Sequence, residues 1–277
     1  MNQTLDGDGS PGGGSAPVRG KKAALVANRA VYWISRHWLL LVNLMIALFL
    51  GLAFAAPVLM HVGAELPAQV LYRVYSTNCH QMAFRSWYLF GEQTHYPLAV
   101  TGSPGVRYFE EYVRAYPGFA DLDPTTDFSA YSWKARALQG DERMGYKVAL
   151  CQRDVAIYAA LLLGGMAFGL LRRWVRPLPW YWFVLVGILP MLADGGYQLV
   201  TRLAPWLEGH ETTPLWRTLT GAAFGLGLMW MTYPHISTGM QETEWGLREK
   251  FVRAGLAKGS DSMHWDNARL PEEKWTG

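Results

Sequence analysis

The stretch WLLLVNLMIALFLGLAFAAPVLM, residues 38–60, contains no charged side chain and decides the fold class. A run of about 20 apolar residues is long enough to cross the hydrocarbon core of a bilayer as one helix. This run starts too late and is too long to be a secretory signal peptide. The sequence therefore predicts an integral membrane protein whose first transmembrane helix extends from Trp38 to Met60.

Three later apolar segments, residues 148–171, 178–200 and 215–233, predict three more transmembrane helices. Basic residues flank the four spans on one side: Arg19, Lys21, Lys22, Arg29 and Arg36 before the first, Arg172, Arg173 and Arg176 between the second and third, and Arg248, Lys250, Arg253 and Lys258 after the fourth. Because cytoplasmic loops carry the excess of Lys and Arg, this pattern predicts four spans with both termini in the cytoplasm.

The whole chain is expected to be an all-α membrane protein, a four-helix transmembrane bundle with additional parts. Residues 1–24 are rich in Gly, Ser and Pro and predict a disordered tail. Residues 25–92 hold the first span and an aromatic-rich helix over 67–91, interfacial or partly inserted, which carries Cys79 and His80. Residues 93–146 predict an extracytoplasmic insert of short helices and loops. Residues 147–236 are expected to contain the other three spans, and residues 237–277 a cytoplasmic amphipathic helix with a tail. A fifth crossing over 67–91 is the alternative, but it breaks the charge rule.

The amino-acid composition limits the classes of binding partner that are expected. The chain is 51% hydrophobic and 17% charged, below the roughly 25% charged residues of soluble domains, so the lipid bilayer is its first partner. A net charge of +3 gives no support for a nucleic-acid ligand. The sequence contains no Gly-rich phosphate loop, no His-Glu-x-x-His and no Cys-x-x-Cys-His, so nucleotide, zinc-protease and covalent-haem functions have no support.

Four side chains predict a metal site at the outer membrane boundary: Cys79, His80, Cys151 and Asp154. The two cysteines are the only ones in the chain, and each has a second potential ligand close by. Thiolate, imidazole and carboxylate all bind zinc, and a tetrahedral site needs four donors. Iron or copper would accept the same donors. On a helix, positions three apart share a face, so Cys151 and Asp154 are expected to point the same way.

Other interpretations of these residues remain open. Cys79 and Cys151 would form a disulfide if the outer side is oxidising, and no metal would then be needed. His80 alone would be interpreted as a hydrogen-bonding core histidine. Asp194, Arg153 and Arg217, charged groups within or beside apolar spans, are candidates for catalysis, but they would also satisfy one another as ion pairs.

The same residues resemble the bacterial membrane protein family called domain of unknown function 2085. The resemblance rests on Cys79-His80-Gln81, Arg85-Ser86, Gly91-x-Gln93 and Cys151-x-Arg153-Asp154, followed by Tyr158, with weaker similarity around Asp194 and Arg217. The family has a cysteine where this chain has Asp154, and this chain inserts about fifty residues before Cys151. The resemblance implies a bacterial cytoplasmic membrane location, the family's fold, and a metal or redox site. It implies no activity.

Three functions are compatible with these observations. We expect an accessory protein or complex subunit in which a closed metal site fixes the Cys-His segment to the bundle, with residues 93–146 meeting a protein partner. The first alternative is a metal-dependent enzyme acting on a lipid-like substrate, with Asp194 or Asp154 as base and Arg153 and Arg217 holding an anionic head group. The second is a thiol redox protein in which Cys79 and Cys151 cycle near a quinone.

Overall fold

A computed structural model describes residues 18–114, 116–203 and 210–256. Most of the predicted tail, residues 1–17, and the residues after 256 lie outside this part. The described residues form two compact units: the first lies within Met1–Trp38 and Thr238–Gly277, and the second within Leu39–Ser237. In the first unit, Arg36 forms an ion pair of 3.6 Å with Glu244, and the rings of Tyr32 and Phe251 pack with centroids 5.8 Å apart. Every candidate site residue lies in the second unit.

Helices dominate the structure. Their bounds are α1 Val18–His61, α2 Glu65–Tyr75, α3 Phe109–Val113, α4 Phe128–Ala137, α5 Gln152–Leu171, α6 Trp180–Phe183, α7 Leu189–Leu203 and α8 Pro214–Arg253. A π-helical segment, Val184–Ile188, joins α6 to α7. Three described helical segments are long and apolar enough to cross a membrane: Lys22–His61, Gln152–Leu171 and Trp180–Thr201. They correspond to the first three predicted spans. The predicted fourth span forms part of α8, which is not in this set.

A small antiparallel sheet, absent from the all-α prediction, lies between α2 and α5. Its strands are β1 Ser86–Leu89, β2 Gly140–Asp141 and β3 Gly145–Cys151, in the order β1-β3-β2. Ser86 pairs with Cys151 at one end of the ladder, and Leu89 pairs with Tyr146 at the other. Gly91 is required beside this ladder because an added Cβ would overlap the carbonyl oxygen of Met144. We call residues 76–151, which contain the sheet, the cap.

The cap has its own hydrophobic core, which explains why a polar and charged segment is ordered. Aromatic rings meet edge to face in it: Tyr88 on Tyr96 at 4.9 Å, Tyr96 on Tyr112 at 4.5 Å, and Phe119 on Tyr131 at 5.3 Å. Such pairs add about 0.5–1.5 kcal/mol to the burial of their area. The core draws on residues of the predicted insert 93–146 and on residues before it, such as Phe84 and Tyr88. Residues 93–146 therefore do not pack as a separate body.

The expected helix over residues 67–91 was wrong in its second half. α2 ends at Tyr75, because Ser76, Thr77 and Asn78 close the chain into turns, and β1 then begins at Ser86. Cys79 and His80 consequently lie in an irregular segment rather than on a helix. The start of the second span was also misplaced: residues 145–151 form β3, and α5 begins only at Gln152. Cys151 is therefore the residue that precedes α5, and the helix-face argument for Cys151 and Asp154 does not apply.

Glycines bring α5 and α8 into close contact, as their spacing predicts for membrane helices. A Cβ added at Gly225 would lie 2.5 Å from the carbonyl oxygen of Ile157, and one at Gly221 would lie 2.6 Å from that of Arg153. On the other side of α5, a Cβ at Gly165 would overlap the side chain of Asn43 of α1. The backbones therefore pack together where these positions lack side chains.

Candidate metal site and buried charge network

The turn after α2 brings Cys79 to the end of β3. The backbone N–H of Cys79 donates to the carbonyl of Tyr75 at 2.9 Å, which folds the chain back at the end of the helix. Gln81 then adopts a left-handed backbone conformation with φ of 51°. This conformation is uncommon for residues other than glycine, and here it accompanies a hydrogen bond of 3.5 Å from the N–H of Gln81 to Cys79 Sγ.

Buried hydrogen bonds hold this turn against β3. The side-chain amide of Gln81 donates to the carbonyls of Tyr72 and Ala149, both at 2.9 Å. The ammonium group of Lys147 donates to the carbonyl of Gln81 at 2.7 Å. Since Gln81 and Lys147 are both almost fully buried, each of these bonds satisfies groups that would otherwise lose their contact with water.

Three of the four predicted ligands converge. One potential ligand atom each from Cys79, Cys151 and Asp154 lies within 4.8 Å of the other two. Cys79 is buried, whereas Cys151 and Asp154 are half-buried. The N–H of Cys151 donates to Cys79 Sγ at 3.3 Å, so this sulfur accepts two backbone hydrogen bonds. Both cysteines are free thiols. The disulfide interpretation is therefore not the state observed here.

His80, the fourth predicted ligand, does not belong to this group of converging atoms. It is exposed and lines a separate cavity of about 790 Å³ between the cap and Thr201 of α7. Because Cys79 and His80 are neighbours in an irregular segment, their side chains leave the chain in different directions. The structure thus brings together two thiols and one carboxylate, a set of three donors.

The two thiols influence each other's ionisation. Their mutual hydrogen bond raises the pKa of Cys79, with burial as the second cause, and lowers the pKa of Cys151. Cys79 thus keeps its proton and Cys151 is the first thiolate to form. Asp154 lies in the first turn of α5, where the helix dipole favours negative charge. Thiolate and carboxylate are the forms in which these side chains bind metals.

Asp194, Arg153 and Arg217 belong to a different structure, a buried network of ion pairs. Arg153 of α5 pairs with Asp194 of α7, and Thr212 donates to the second oxygen of Asp194 at 2.5 Å. This outcome confirms the interpretation of Asp194 as the partner of an arginine. Gln198 donates to Thr212, which extends the network towards the start of α8.

Glu211 forms ion pairs with Arg85 and Arg217, and it was not predicted from the sequence as a site residue. Its carboxylate accepts two hydrogen bonds from Arg85, at 2.8 and 2.7 Å, and it also pairs with Arg217. Glu211 is only 3% exposed. Its sequence position, one acid shortly before the proline that begins α8, looked like an ordinary external loop. Lys147 was missed as well, although it is the one charged residue of the strand GYKVALC.

Comparison with known proteins supports part of the predicted resemblance. The family described as "Predicted membrane protein (DUF2085)" matches residues 143–231. This range includes Cys151, Asp154, Asp194 and Arg217, whereas Cys79 and His80 lie before it. No curated protein and no solved structure matches the chain. The chain is thus similar to a membrane protein family from the end of the cap to the middle of α8.

Proposed function

We propose that this protein is a polytopic membrane protein in which Cys79, Cys151 and Asp154 hold a zinc ion that fastens the cap to α5. The observation that carries the proposal is the convergence of their ligand atoms within 4.8 Å. Zn–S bonds of about 2.3 Å and Zn–O bonds of about 2.0 Å place tetrahedral ligands less than 4 Å apart. The donors need only small movements to reach that geometry.

Cys151 and burial raise the pKa of Cys79, so its thiolate would form when a metal ion displaces the proton. Two backbone N–H groups are directed at its sulfur, and such outer hydrogen bonds orient a ligand and stabilise its charge. Bound zinc would supply fixed coordination bonds between residues more than seventy positions apart in sequence. A joint of this kind suits a structural role, and we therefore infer an accessory or complex subunit whose cap is available to a protein partner.

The test is the metal content of the purified full-length protein. We expect about one zinc ion per chain, and much less in Cys79→Ser, Cys151→Ser and Asp154→Asn. The matched control is His80→Ala, since His80 lies next to Cys79 but outside the converging group; its zinc content should equal that of the wild type. Equal zinc in the wild type and all three ligand variants would overturn the proposal. Iron or copper in place of zinc would change only the identity of the metal.

The number of donors favours one alternative, a metal-dependent enzyme on a lipid-like substrate. Structural zinc usually has four protein ligands, whereas catalytic zinc has three and an open position. The three converging donors leave that position free for water or substrate. Arg153 and Arg217, which were expected to hold the substrate, are instead occupied by Asp194 and Glu211. We therefore keep the structural role as the first choice.

The second alternative, thiol redox chemistry, is favoured by the closeness of the two free sulfurs. Oxidation would join Cys79 and Cys151 in a disulfide, with two electrons and two protons passing to an acceptor such as a quinone. Mass spectrometry of protein isolated under acid quench separates the cases. A Cys79–Cys151 disulfide in most molecules would favour redox cycling, and free thiols with stoichiometric zinc would exclude it.

We further infer that α8 supplies a fourth span and that both termini are cytoplasmic, as in a bacterial inner-membrane protein. The basic residues between α5 and α6 and at the end of α8 support this orientation. A membrane-impermeant maleimide applied to whole cells should label Ser129→Cys of the cap and spare Arg173→Cys of the α5–α6 link. Both residues are exposed, so access rather than burial decides the result. The reverse labelling would contradict the orientation.

A further inference from the structure

Within the part of the chain that the structure describes, two cations of the cap have no acidic partner. Lys147 is fully buried, and its ammonium group donates to the carbonyls of Gln81 and Arg136, both at 2.7 Å. An ammonium group has three N–H donors, so one remains uncommitted. Arg136 is half-buried and donates to the carbonyl of Ser76 at 2.8 Å. Across residues 18–114, 116–203 and 210–256, no carboxylate forms an ion pair with either of them.

A buried cation without a counter-charge is unfavourable. Water solvates an ammonium ion far better than carbonyl groups alone do, so buried charges are normally paired. The unfavourable free energy of burying this charge is reflected in the pKa of Lys147, which burial lowers to about 7. An anion placed beside this group would remove the cost.

A cavity is present at this position. It has a volume of about 270 Å³ and is lined by both cations, by Trp133, and by four polar side chains, those of Tyr72, Ser76, Gln81 and Gln139. We call it the Lys147 cavity. The hydroxyls of Tyr72 and Ser76 and the amide of Gln81 already donate to backbone carbonyls. The two cations are therefore the main donors left for an oxyanion, and none of the described lining residues carries a carboxylate.

We propose that the Lys147 cavity binds the carboxylate or phosphate group of a small ligand between Lys147 and Arg136. The guanidinium of Arg136 offers paired N–H donors that match two oxygens of such a group, and Lys147 adds a point charge from the opposite element, β3. This site is separate from the three metal donors, and the proposal does not depend on a bound metal.

The cavities indicate where the rest of the ligand would lie when its oxyanion is bound. Trp133 and Arg136 line the Lys147 cavity and also the larger cavity of about 790 Å³. The guanidinium of Arg136 lies over the Trp133 ring, 5.6 Å from its centroid. The larger cavity continues past apolar side chains, including Met82, Leu98 and Phe128, and its lining also contains the carboxylates of Glu110 and Asp127. A planar or apolar group attached to the oxyanion would extend along Trp133 into this space, as in an aromatic or acyl carboxylate or a phosphate ester.

The experiment is calorimetric titration of the full-length protein in nanodiscs of zwitterionic lipid with inorganic phosphate and with benzoate. Benzyl alcohol, which has the same ring but no charge, is the ligand control. We expect saturable binding of both anions and none of the alcohol. Arg136→Gln and Lys147→Met should each weaken anion binding by about tenfold or more, because each removes one charged donor.

The control variant is Arg107→Gln, an exposed cap arginine paired with Glu92 that does not line the Lys147 cavity. It should bind as the wild type does. If Lys147→Met does not fold, Arg136→Gln at the half-buried position decides the matter. No saturable binding by the wild type, or equal affinities in Arg136→Gln and Arg107→Gln, would overturn the proposal.

A second arm identifies the source of the oxyanion. Nanodiscs that contain anionic lipid would abolish phosphate binding if a lipid head group fills the cavity by competition. If affinity for phosphate is the same in both kinds of nanodisc at high salt, the ligand is a free solute. High salt is needed because an anionic surface also repels phosphate over a Debye length.

Discussion

The backbone N–H of Cys151 donates a hydrogen bond of 3.3 Å to the sulfur of Cys79. Through this bond the last residue of β3 meets the turn after α2, immediately before α5 begins. Asp154 lies in the first turn of that helix, and its carboxylate completes the group. The junction between the cap and α5 is therefore also the place where the potential metal ligands meet.

Removal of metal should loosen this junction. A ligand that binds only the folded state stabilises it by about 4 kcal/mol at a thousandfold excess over its dissociation constant. We expect a chelator to lower the Tm of the wild-type protein and added zinc to restore it. Cys79→Ser should have a low Tm that neither treatment changes. A chelator effect of the same size in Cys79→Ser would show that the metal acts elsewhere.

Substitutions of Arg153 and Asp194 should have strongly coupled effects on stability, because the two side chains form an ion pair. Both side chains are largely buried, and removal of one member of a buried pair typically costs about 3–5 kcal/mol because the other charge is left alone. Arg153→Met and Asp194→Asn should each lower the Tm markedly. The double variant should lose less free energy of unfolding than the two single variants lose in sum. Strict additivity in this double-mutant cycle would contradict the pairing.

Close packing of α5 and α8 should be sensitive to a single methyl group. Gly225→Ala would place a Cβ 2.5 Å from the carbonyl oxygen of Ile157, so the helices must separate. Overpacking of this kind costs about 1–3 kcal/mol. Gly239→Ala, on the same helix, meets nothing within 4 Å and should be neutral or slightly stabilising. Similar thermal stabilities of the two variants would contradict the close approach.

Lys147 should make stability depend on pH. Its pKa is about 7 in the folded protein, lowered first by burial, against its ordinary value of 10.5. Between these values the unfolded chain binds the extra proton, so the free energy of unfolding should rise with pH by up to about 5 kcal/mol, and should be lowest below pH 7.

The thiol of Cys79 and the guanidinium of Arg136 also act on Lys147, and tyrosines and cysteines titrate in the same range. The measurement is therefore the difference between the unfolding free energies of the wild type and of Lys147→Met at each pH. This difference should change across pH 7–10. A constant difference would mean that Lys147 is charged in the folded state throughout.

Long apolar runs were predictable from the sequence because lipid imposes length and composition together. The predicted end of the first helix, Met60, differs from the observed end by one residue. The convergence of Cys79, Cys151 and Asp154 was also predictable, since polar groups in an apolar chain tend to share one location. The exact ligand set was not, because residues 79 and 80 lie in an irregular segment, where sequence spacing does not indicate which side chains share a direction.

The sheet was not predicted because its strands are short. β3 contains the apolar run VALC next to an apolar helix, and a short apolar run has no period that separates strand from helix. Glu211 and Lys147 were missed for another reason. Each is a single charge in a segment that looked external or apolar, and only the fold shows that Glu211 meets two arginines.

The five-residue π-helical segment Val184–Ile188 determines in which direction the side chains of α7 point around the helix axis. A π-turn adds one residue to the helix, and one residue corresponds to a rotation of about 100°. If the segment relaxed into regular α geometry, Asp194 and Gln198 would swing away from Arg153 and Thr212 together.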